Sequence, residues 1–91
     1  MTDYTKLPPH MQETARLYIE KGVPGGSFFT ALCENNLINA FNRADNINAE
    51  AMQAWASFVY WEMPGKAWGD KDAVKNWISS GGLEGLRNDL G

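Results

Sequence analysis

Apolar residues recur along this chain with the spacing of an α-helix, and strict alternation of apolar and polar residues is nowhere sustained for the length of a β-strand. The first amphipathic segment begins at Pro8 and Pro9, because proline suits the first turn of a helix, and it ends at Gly22, a residue typical of helix C-termini. The apolar side chains of this segment share one face: Met11, Ala15, Tyr18 and Ile19. The pattern predicts an all-α fold.

Two short apolar stripes follow, and Asn35 and Asn36 should interrupt or kink the chain between them. The first stripe comes after a Pro-Gly-Gly turn, and Ser27 is predicted to be the N-cap of its helix, with its hydroxyl accepting a backbone N–H. The second stripe occupies residues 37–44. Its apolar side chains are all predicted to point into the core: Leu37, Ile38, Ala40, Phe41 and Ala44.

The longest predicted helix covers residues 49–63, with Asn48 as its cap and Pro64 at its end. Its apolar residues extend over more than half of the helix circumference, whereas a helix packed on one side of a small domain needs an apolar stripe only about 100° wide. More than one surface must therefore cover this helix. Either other helices wrap around it, or Tyr60 and Trp61 form an interface with a partner protein or within a homodimer or higher homo-oligomer.

Two further segments complete the predicted fold. Asp70 is expected to cap a helix with an apolar stripe of Ala73, Val74, Trp77 and Ile78. The sequence Ser-Ser-Gly-Gly ends that helix, and a last short helix that either docks or frays carries Leu83, Leu86 and Leu90. The whole pattern predicts a compact single-domain bundle of about five short helices over residues 1–91, with residues 1–6 as a flexible N-terminus.

The composition indicates where the protein functions more clearly than it indicates what the protein does. The 91 residues suit one domain, and the formal net charge of −3 comes without the basic stripe of a nucleic-acid-binding protein. The single cysteine, Cys33, cannot form an intramolecular disulfide, and the N-terminus lacks the basic start and apolar stretch of a secretory signal. No apolar run approaches the ~18 residues of a membrane span. We expect a soluble protein in a reducing cytoplasm that binds neither membranes nor nucleic acid.

Residues that could carry catalysis are few. His10 is the only histidine, it follows two prolines at a helix start, and no Cys–His or Ser–His spacing can be built around it. Cys33 has the position of a small buried hydrophobic residue, although a thiol near a helix start can be reactive. One histidine and one cysteine cannot make a structural zinc site, and the sequence has no Asp-rich calcium loop. We therefore predict a non-catalytic protein without a metal or a cofactor.

Two loops are candidate ligand sites. Residues 23–27, Val-Pro-Gly-Gly-Ser, either connect two helices or bind a phosphate or carboxylate, because glycines let the backbone approach closely and a helix N-terminus favours an anion. An anion site would need a cation, for which Arg43, Lys66 and Lys71 are candidates. Trp68 lies between two glycine-containing turns, where it either pins its loop to the core or offers a stacking platform. The predicted ligand-binding set is Gly25, Gly26, Ser27, Arg43, Lys66 and Trp68.

Two long segments carry a recognisable pattern and together cover most of the chain: LPPHMQETARLYIEKGVPGGSFFTALCENNLINAFNRADNIN and MPGKAWGDKDAVKNWISSGG. The motifs that define the pattern are Gly-Val-Pro-Gly-Gly-Ser-Phe, Arg-Ala-Asp-Asn-Ile-Asn and a Trp-Gly turn before a helix that contains a tryptophan. With these motifs the chain resembles a family of small proteins encoded by tailed bacteriophages and prophages. It departs from the family pattern at Asn36, where we expect Asp, and at Asp70, where we expect Ser.

The resemblance implies a phage accessory protein in the host bacterial cytoplasm, and it implies no catalytic role. Accessory proteins of this kind act mostly by binding, and the function that the resemblance favours is inhibition of a host protein or of an antiphage defence system. Two alternatives stay open. One is a sponge that sequesters a small anionic, nucleotide-like signal molecule, and the other is a virion or packaging-associated structural protein.

Overall fold

The described chain is built from helices joined by short turns. The structure is a computed structural model that describes the backbone of residues 2–90 and the side chains of residues 2–87. Within residues 2–90 there is no β-strand, so the all-α prediction is confirmed. The elements are α1 (Pro9–Lys21), α2 (Ser27–Cys33), α3 (Leu37–Arg43), α4 (Asn46–Glu50), α5 (Met52–Trp61), a 3₁₀ turn (Gly65–Ala67), α6 (Lys71–Ser80) and α7 (Gly82–Leu90).

Helix α1 begins and ends as its sequence predicts. Pro8 and Pro9 form its start, and Gly22 at its end adopts the left-handed conformation, with φ at 70°. The N–H of Gly22 donates to the carbonyl of Tyr18 at 3.0 Å, which satisfies one of the last free carbonyls of the helix. On the predicted apolar face, Ala15, Tyr18 and Ile19 are buried and Met11 is partly buried. This face joins the core.

Gly22 also lies in close backbone contact with Gly82, at the start of α7. A Cβ atom at Gly22 would lie 2.8 Å from the backbone nitrogen of Gly82, and a Cβ at Gly82 would lie 2.6 Å from the backbone nitrogen of Gly22. Both glycines have positive φ, at 70° and 69°. Only residues without a side chain permit this approach, which brings the end of α1 against the start of α7.

Two of the three predicted N-caps are wrong. Ser27 is the first residue of α2, and Gly26 holds the N-cap position without a side-chain hydrogen bond. Asn48 lies inside α4, where Asp45 is the N-cap and its Oδ1 accepts the backbone N–H of Asn48 at 2.7 Å. The third prediction is confirmed, because Asp70 Oδ1 accepts a backbone N–H of α6 at 2.8 Å.

The helix predicted over residues 49–63 is divided into α4 and α5 in the structure, and the position of Asn48 differs from the prediction. A helix that began at residue 49 would need Asn48 at its solvent-facing end, but the Asn48 side chain is buried, with 3% of its surface exposed. Its Oδ1 accepts the indole N–H of Trp55 at 3.1 Å, so this amide serves the core and not a helix end. Ala51 separates α4 from α5.

Trp55 lies at the centre of the core and has no exposed surface. Its ring meets those of Phe28, Phe29 and Phe58 edge to face, with centroid distances of 5.5, 5.8 and 6.2 Å. Tyr18 meets Phe29 edge to face at 5.2 Å. Rings from α2 and α5 thus surround a single tryptophan, and Phe29 connects this cluster to Tyr18 of α1.

Two buried hydrogen bonds connect α1 to the C-terminal half. The hydroxyl of Tyr18 donates to the carbonyl of Ala67 at 2.6 Å, and the indole N–H of Trp77 donates to the carbonyl of Tyr18 at 2.8 Å. The radius of gyration is 12.4 Å, close to the ~12 Å expected of one compact domain of this length. The described residues form one compact helical domain.

The N-terminus predicted to be flexible is residues 1–6, and Tyr4 within that segment contacts the core in this structure. Leu7 is buried, and the ring of Tyr4 packs against Phe58 with centroids 5.7 Å apart. At the other end, Leu83 and Leu86 of α7 pack partly buried against the core, while the side chain of Leu90 lies outside the described residues. No helix among residues 2–90 combines the length and apolar character that crossing a membrane requires.

Candidate functional site

The prediction for α3 is wrong at three of its five apolar positions. Ala40 is buried and Ala44 is partly buried, but Leu37, Ile38 and Phe41 have 53%, 75% and 49% of their surface exposed. Helix α3 packs mainly on α2, which lies directly before it in the chain. Since only the alanine edge of this seven-residue helix meets the core, the larger apolar side chains beside that edge face solvent.

Tyr60 and Trp61 at the end of α5 are also exposed, at 67% and 76%. Their rings contact each other edge to face, with centroids 4.7 Å apart and planes at 84°. Each ring therefore restricts the rotation of the other, which reduces the entropy that a partner must remove on binding. We call these exposed side chains the α3–α5 surface: Leu37, Ile38, Phe41, Tyr60 and Trp61.

A cleft of about 240 Å³ connects the two parts of the α3–α5 surface. Leu37 and Tyr60 line it from opposite helices, together with the partly buried Trp68. The buried residues Leu32 and Val59 also line it, so the cleft opens directly onto the core. It is an apolar depression with an aromatic wall, the type of feature into which a partner side chain can insert.

A second, larger groove lies on the other side of α5. It has a volume of about 530 Å³ and is lined by Trp61, by the small residues Ala54 and Ser57, and by Lys6 and Glu62 with opposite charges. The exposed side of α5 therefore separates two grooves, one mainly apolar and one with a charged edge. Tyr60 belongs to the first groove and Trp61 to the second.

The area of the α3–α5 surface is large for a chain of this size. An aromatic side chain can bury about 150–250 Å², so the exposed fractions of Phe41, Tyr60 and Trp61 alone leave roughly 300–450 Å² of aromatic surface in water. With Leu37 and Ile38 added, the summed exposed area of these side chains is comparable to the ~300–600 Å² of the largest apolar patch on a typical monomer. Patches of this size are typical of interaction sites.

The predicted ligand-binding residues are divided among three cavities. Gly25, Ser27 and Arg43 line one polar cleft, and Lys71 lines the same cleft. Gly26 is exposed in the chain between Gly25 and Ser27 and is not among the lining residues. The remaining two residues lie elsewhere: Lys66 lines a small cavity beside Trp77, and Trp68 lines the apolar cleft of the α3–α5 surface.

His10 and Cys33, the two candidate reactive side chains, have different neighbours. His10 is exposed, and its Nε2 lies 3.1 Å from Asp45 Oδ2. Cys33 is fully buried with its Sγ 4.0 Å from Met63 Sδ, and burial raises the pKa of the thiol far above its ordinary value. A thiol in that state is a poor nucleophile. Among residues 2–87 no group of three or more His, Cys, Asp or Glu side chains could hold a metal ion.

Comparison of the chain with protein-family models, curated proteins and solved structures finds no match. The structural part of the functional argument therefore depends on the geometry of this chain.

The sequence pattern singled out Tyr60 and Trp61 but missed the α3 half of the surface. A signal was present in α3, because its two alanines, Ala40 and Ala44, lie along one edge of the apolar stripe. Alanines permit close contact between helices, and close contact at that edge turns the larger neighbours away from the core. The pattern shows which face of a short helix is apolar, but not how much of that face the rest of the chain covers.

Proposed function

We propose that this protein is a non-catalytic binding protein that holds a host bacterial protein on its α3–α5 surface. One observation supports the proposal most strongly: two helices expose five large apolar side chains, and one from each helix, Leu37 and Tyr60, lines the same apolar cleft. Each of them lies within a fold that buries eighteen other hydrophobic residues. A chain that packs its core so completely has no internal use for a second apolar surface, and an aromatic patch of this kind suits a protein partner.

The shape of the cleft indicates what the partner presents. A space of about 240 Å³ between Leu37, Tyr60 and Trp68 accepts one large apolar side chain. The Tyr60 hydroxyl and the Asn35 amide at the rim can make hydrogen bonds to the partner's backbone. We therefore propose a partner segment with a leucine, methionine or phenylalanine as its anchor, in contact with the exposed rings of Tyr60 and Trp61.

The host as the source of the partner follows from the family resemblance. A small accessory protein of a tailed phage acts inside the host cytoplasm, and a protein-binding surface there inhibits a host enzyme or a defence component by occupying one of its surfaces. The proposal requires no chemistry from this chain. It is consistent with the burial of Cys33 and with the exposed position of His10.

The test compares capture of host proteins by the wild type and by matched variants. Ile38→Asn and Trp61→Ala change the α3–α5 surface, while Val23→Asn removes an exposed apolar side chain from the loop between α1 and α2. A protein captured by the wild type and by Val23→Asn, but by neither surface variant, supports the proposal once it binds saturably in purified form. Equal capture by all four proteins contradicts it.

The same surface could instead be covered by a second copy of this chain, and the same variants distinguish that case. Light scattering of the purified protein at micromolar concentration reports a dimer if copies pair through Tyr60 and Trp61, and Trp61→Ala then restores the monomer. A monomeric wild type leaves the surface available to a host protein. A stable dimer dissociated by Trp61→Ala would replace the host partner with a homodimer.

A further inference from the structure

A polar cleft on a different part of the molecule brings together two cationic side chains from distant elements. Arg43 is the last residue of α3 and Lys71 the first residue of α6, and both line a cleft of about 420 Å³ that also borders α2. Among the described side chains, the ion pairs within 4.0 Å are His10 with Asp45 and Arg16 with Glu13 and Glu20. Neither Arg43 nor Lys71 is engaged in any of them.

The walls of this Arg43–Lys71 cleft carry hydrogen-bonding groups. Thr30, Asn36 and Asn39 contribute a hydroxyl and two amides, and Glu34 contributes a carboxylate. Asn36 Oδ1 accepts the backbone N–H of Asn39 at 3.4 Å, which orients the Asn36 side chain and leaves its amide N–H groups as donors. The lining offers donors and acceptors for several hydroxyl groups beside a positively charged end.

The cleft has no aromatic ring among its lining residues. Trp68, the ring that the sequence suggested as a stacking platform, lines the apolar cleft between α3 and α5 instead. Recognition of a nucleobase ordinarily uses stacking on an aromatic or guanidinium plane together with its polar edge. The one guanidinium in the lining, that of Arg43, is needed to hold the anion, so the Arg43–Lys71 cleft favours an anion attached to a polyhydroxyl group over a nucleotide.

The charged residues that line the cleft restrict the class of ligand further. Arg43 and Lys71 supply two positive charges, and Glu34 supplies one negative charge to the same cleft. One phosphoryl group matches this balance, since a guanidinium and an ammonium bind its oxygens with charge-assisted hydrogen bonds. A second phosphoryl group near Glu34 would be repelled, whereas a sugar hydroxyl there would donate to the carboxylate.

We propose that the Arg43–Lys71 cleft binds a sugar monophosphate, with the phosphoryl group held by Arg43 and Lys71 and the hydroxyls held by Asn36, Asn39 and Glu34. The site is separate from the α3–α5 surface, so it does not depend on the proposed protein partner. The argument uses the two cations and the polar walls and does not use the start of α2.

The test is a titration monitored by backbone and side-chain amide resonances, with ribose 5-phosphate, inorganic phosphate and ribose as probes. We expect saturable shifts for Asn36, Asn39 and Arg43 with ribose 5-phosphate, at a Kd of about 1 mM or tighter. Inorganic phosphate should shift the same residues at higher concentration, and ribose alone should shift none. Absence of saturation at about tenfold higher concentration would overturn the proposal.

Single-residue variants distinguish a specific binding site from nonspecific electrostatic attraction. Lys71→Ala and Lys75→Ala remove the same charge from the same helix, but Lys75 does not line the cleft. We expect Arg43→Gln and Lys71→Ala each to weaken ribose 5-phosphate binding about tenfold and Lys75→Ala to change it by less than about twofold. Equal weakening by Lys71→Ala and Lys75→Ala would contradict the site. Adenosine monophosphate binding about tenfold more tightly than ribose 5-phosphate would also contradict it, because it would require base recognition.

Discussion

Helix α5 contains two tryptophans in opposite environments, and exchanging each for alanine should destabilise the protein by very different amounts. Trp55 has no exposed surface, whereas 76% of the surface of Trp61 is exposed. The two substitutions remove the same group from the same helix. They therefore compare core packing with the α3–α5 surface directly.

The cost of Trp55→Ala can be worked from its contacts. Truncating a fully buried tryptophan costs about 3–5 kcal/mol through lost burial and the cavity that remains. The change also leaves the buried Asn48 Oδ1 without the indole N–H at 3.1 Å, which adds about 1–3 kcal/mol. A domain of this length has a free energy of unfolding of roughly 5–14 kcal/mol, so Trp55→Ala should remove a large part of it and would unfold a domain at the lower end of that range.

Trp61→Ala should behave differently. The ring loses its edge-to-face contact with Tyr60 and little other burial, so the free energy of unfolding should fall by less than about 1 kcal/mol. Trp55→Phe is a milder core control, because it keeps an aromatic ring but removes the N–H that donates to Asn48 Oδ1. Loss of that hydrogen bond should lower the free energy of unfolding by about 1–3 kcal/mol.

Urea unfolding followed by far-ultraviolet circular dichroism measures all three variants without depending on tryptophan fluorescence. Equal slopes of unfolding free energy against urea concentration would show that the unfolded states are comparable. The reasoning is refuted if Trp61→Ala lowers the unfolding free energy as much as Trp55→Ala does. In that case Trp61 would belong to a packed core and would not be available to a partner.

Three further predictions concern the fold. Asp70→Ala should lower the unfolding free energy by about 0.5–2 kcal/mol through loss of the N-cap, while Ser27→Ala, without a cap bond to lose, should change it by less than about 0.5 kcal/mol; a chemical melt that reverses this order would contradict the helix starts. Gly22→Ala should destabilise by more than a surface substitution does, because its Cβ would lie 2.8 Å from the backbone nitrogen of Gly82 at a positive φ, and an unchanged thermal midpoint would refute the close approach. Cys33 should be alkylated in mildly alkaline buffer only as fast as the protein opens, since burial raises its pKa; rapid labelling of the native protein would show that the thiol is accessible.

The ends of α1 were predictable because local chemistry determines them. Proline suits the first turn of a helix and glycine suits its left-handed end, and neither depends on the rest of the fold. The same holds for Asp70, whose carboxylate reaches a backbone N–H within its own turn. Asn48 was a plausible cap by composition, but a partner seven residues later, Trp55, recruited its amide into the core.

The α3–α5 surface was only half predictable, for a physical reason. A helical pattern identifies which side chains are apolar and share a face, and for α3 that identification was correct. Whether neighbouring elements cover the face depends on contacts between distant parts of the chain, and here α3 meets the core only along Ala40 and Ala44. The polar cleft of Arg43 and Lys71 depends on tertiary structure in the same way, because the two residues belong to different helices.

The most direct test of a protein-binding α3–α5 surface is the affinity of a purified captured host protein for three variants, measured by titration calorimetry. The account predicts that Trp61→Ala and Ile38→Asn each weaken binding by about tenfold or more, as expected for large apolar contact residues, while both proteins remain fully folded. Val23→Asn, which alters an exposed apolar side chain outside the surface, should keep the wild-type affinity within about twofold. Wild-type affinity for both Trp61→Ala and Ile38→Asn would contradict the central claim.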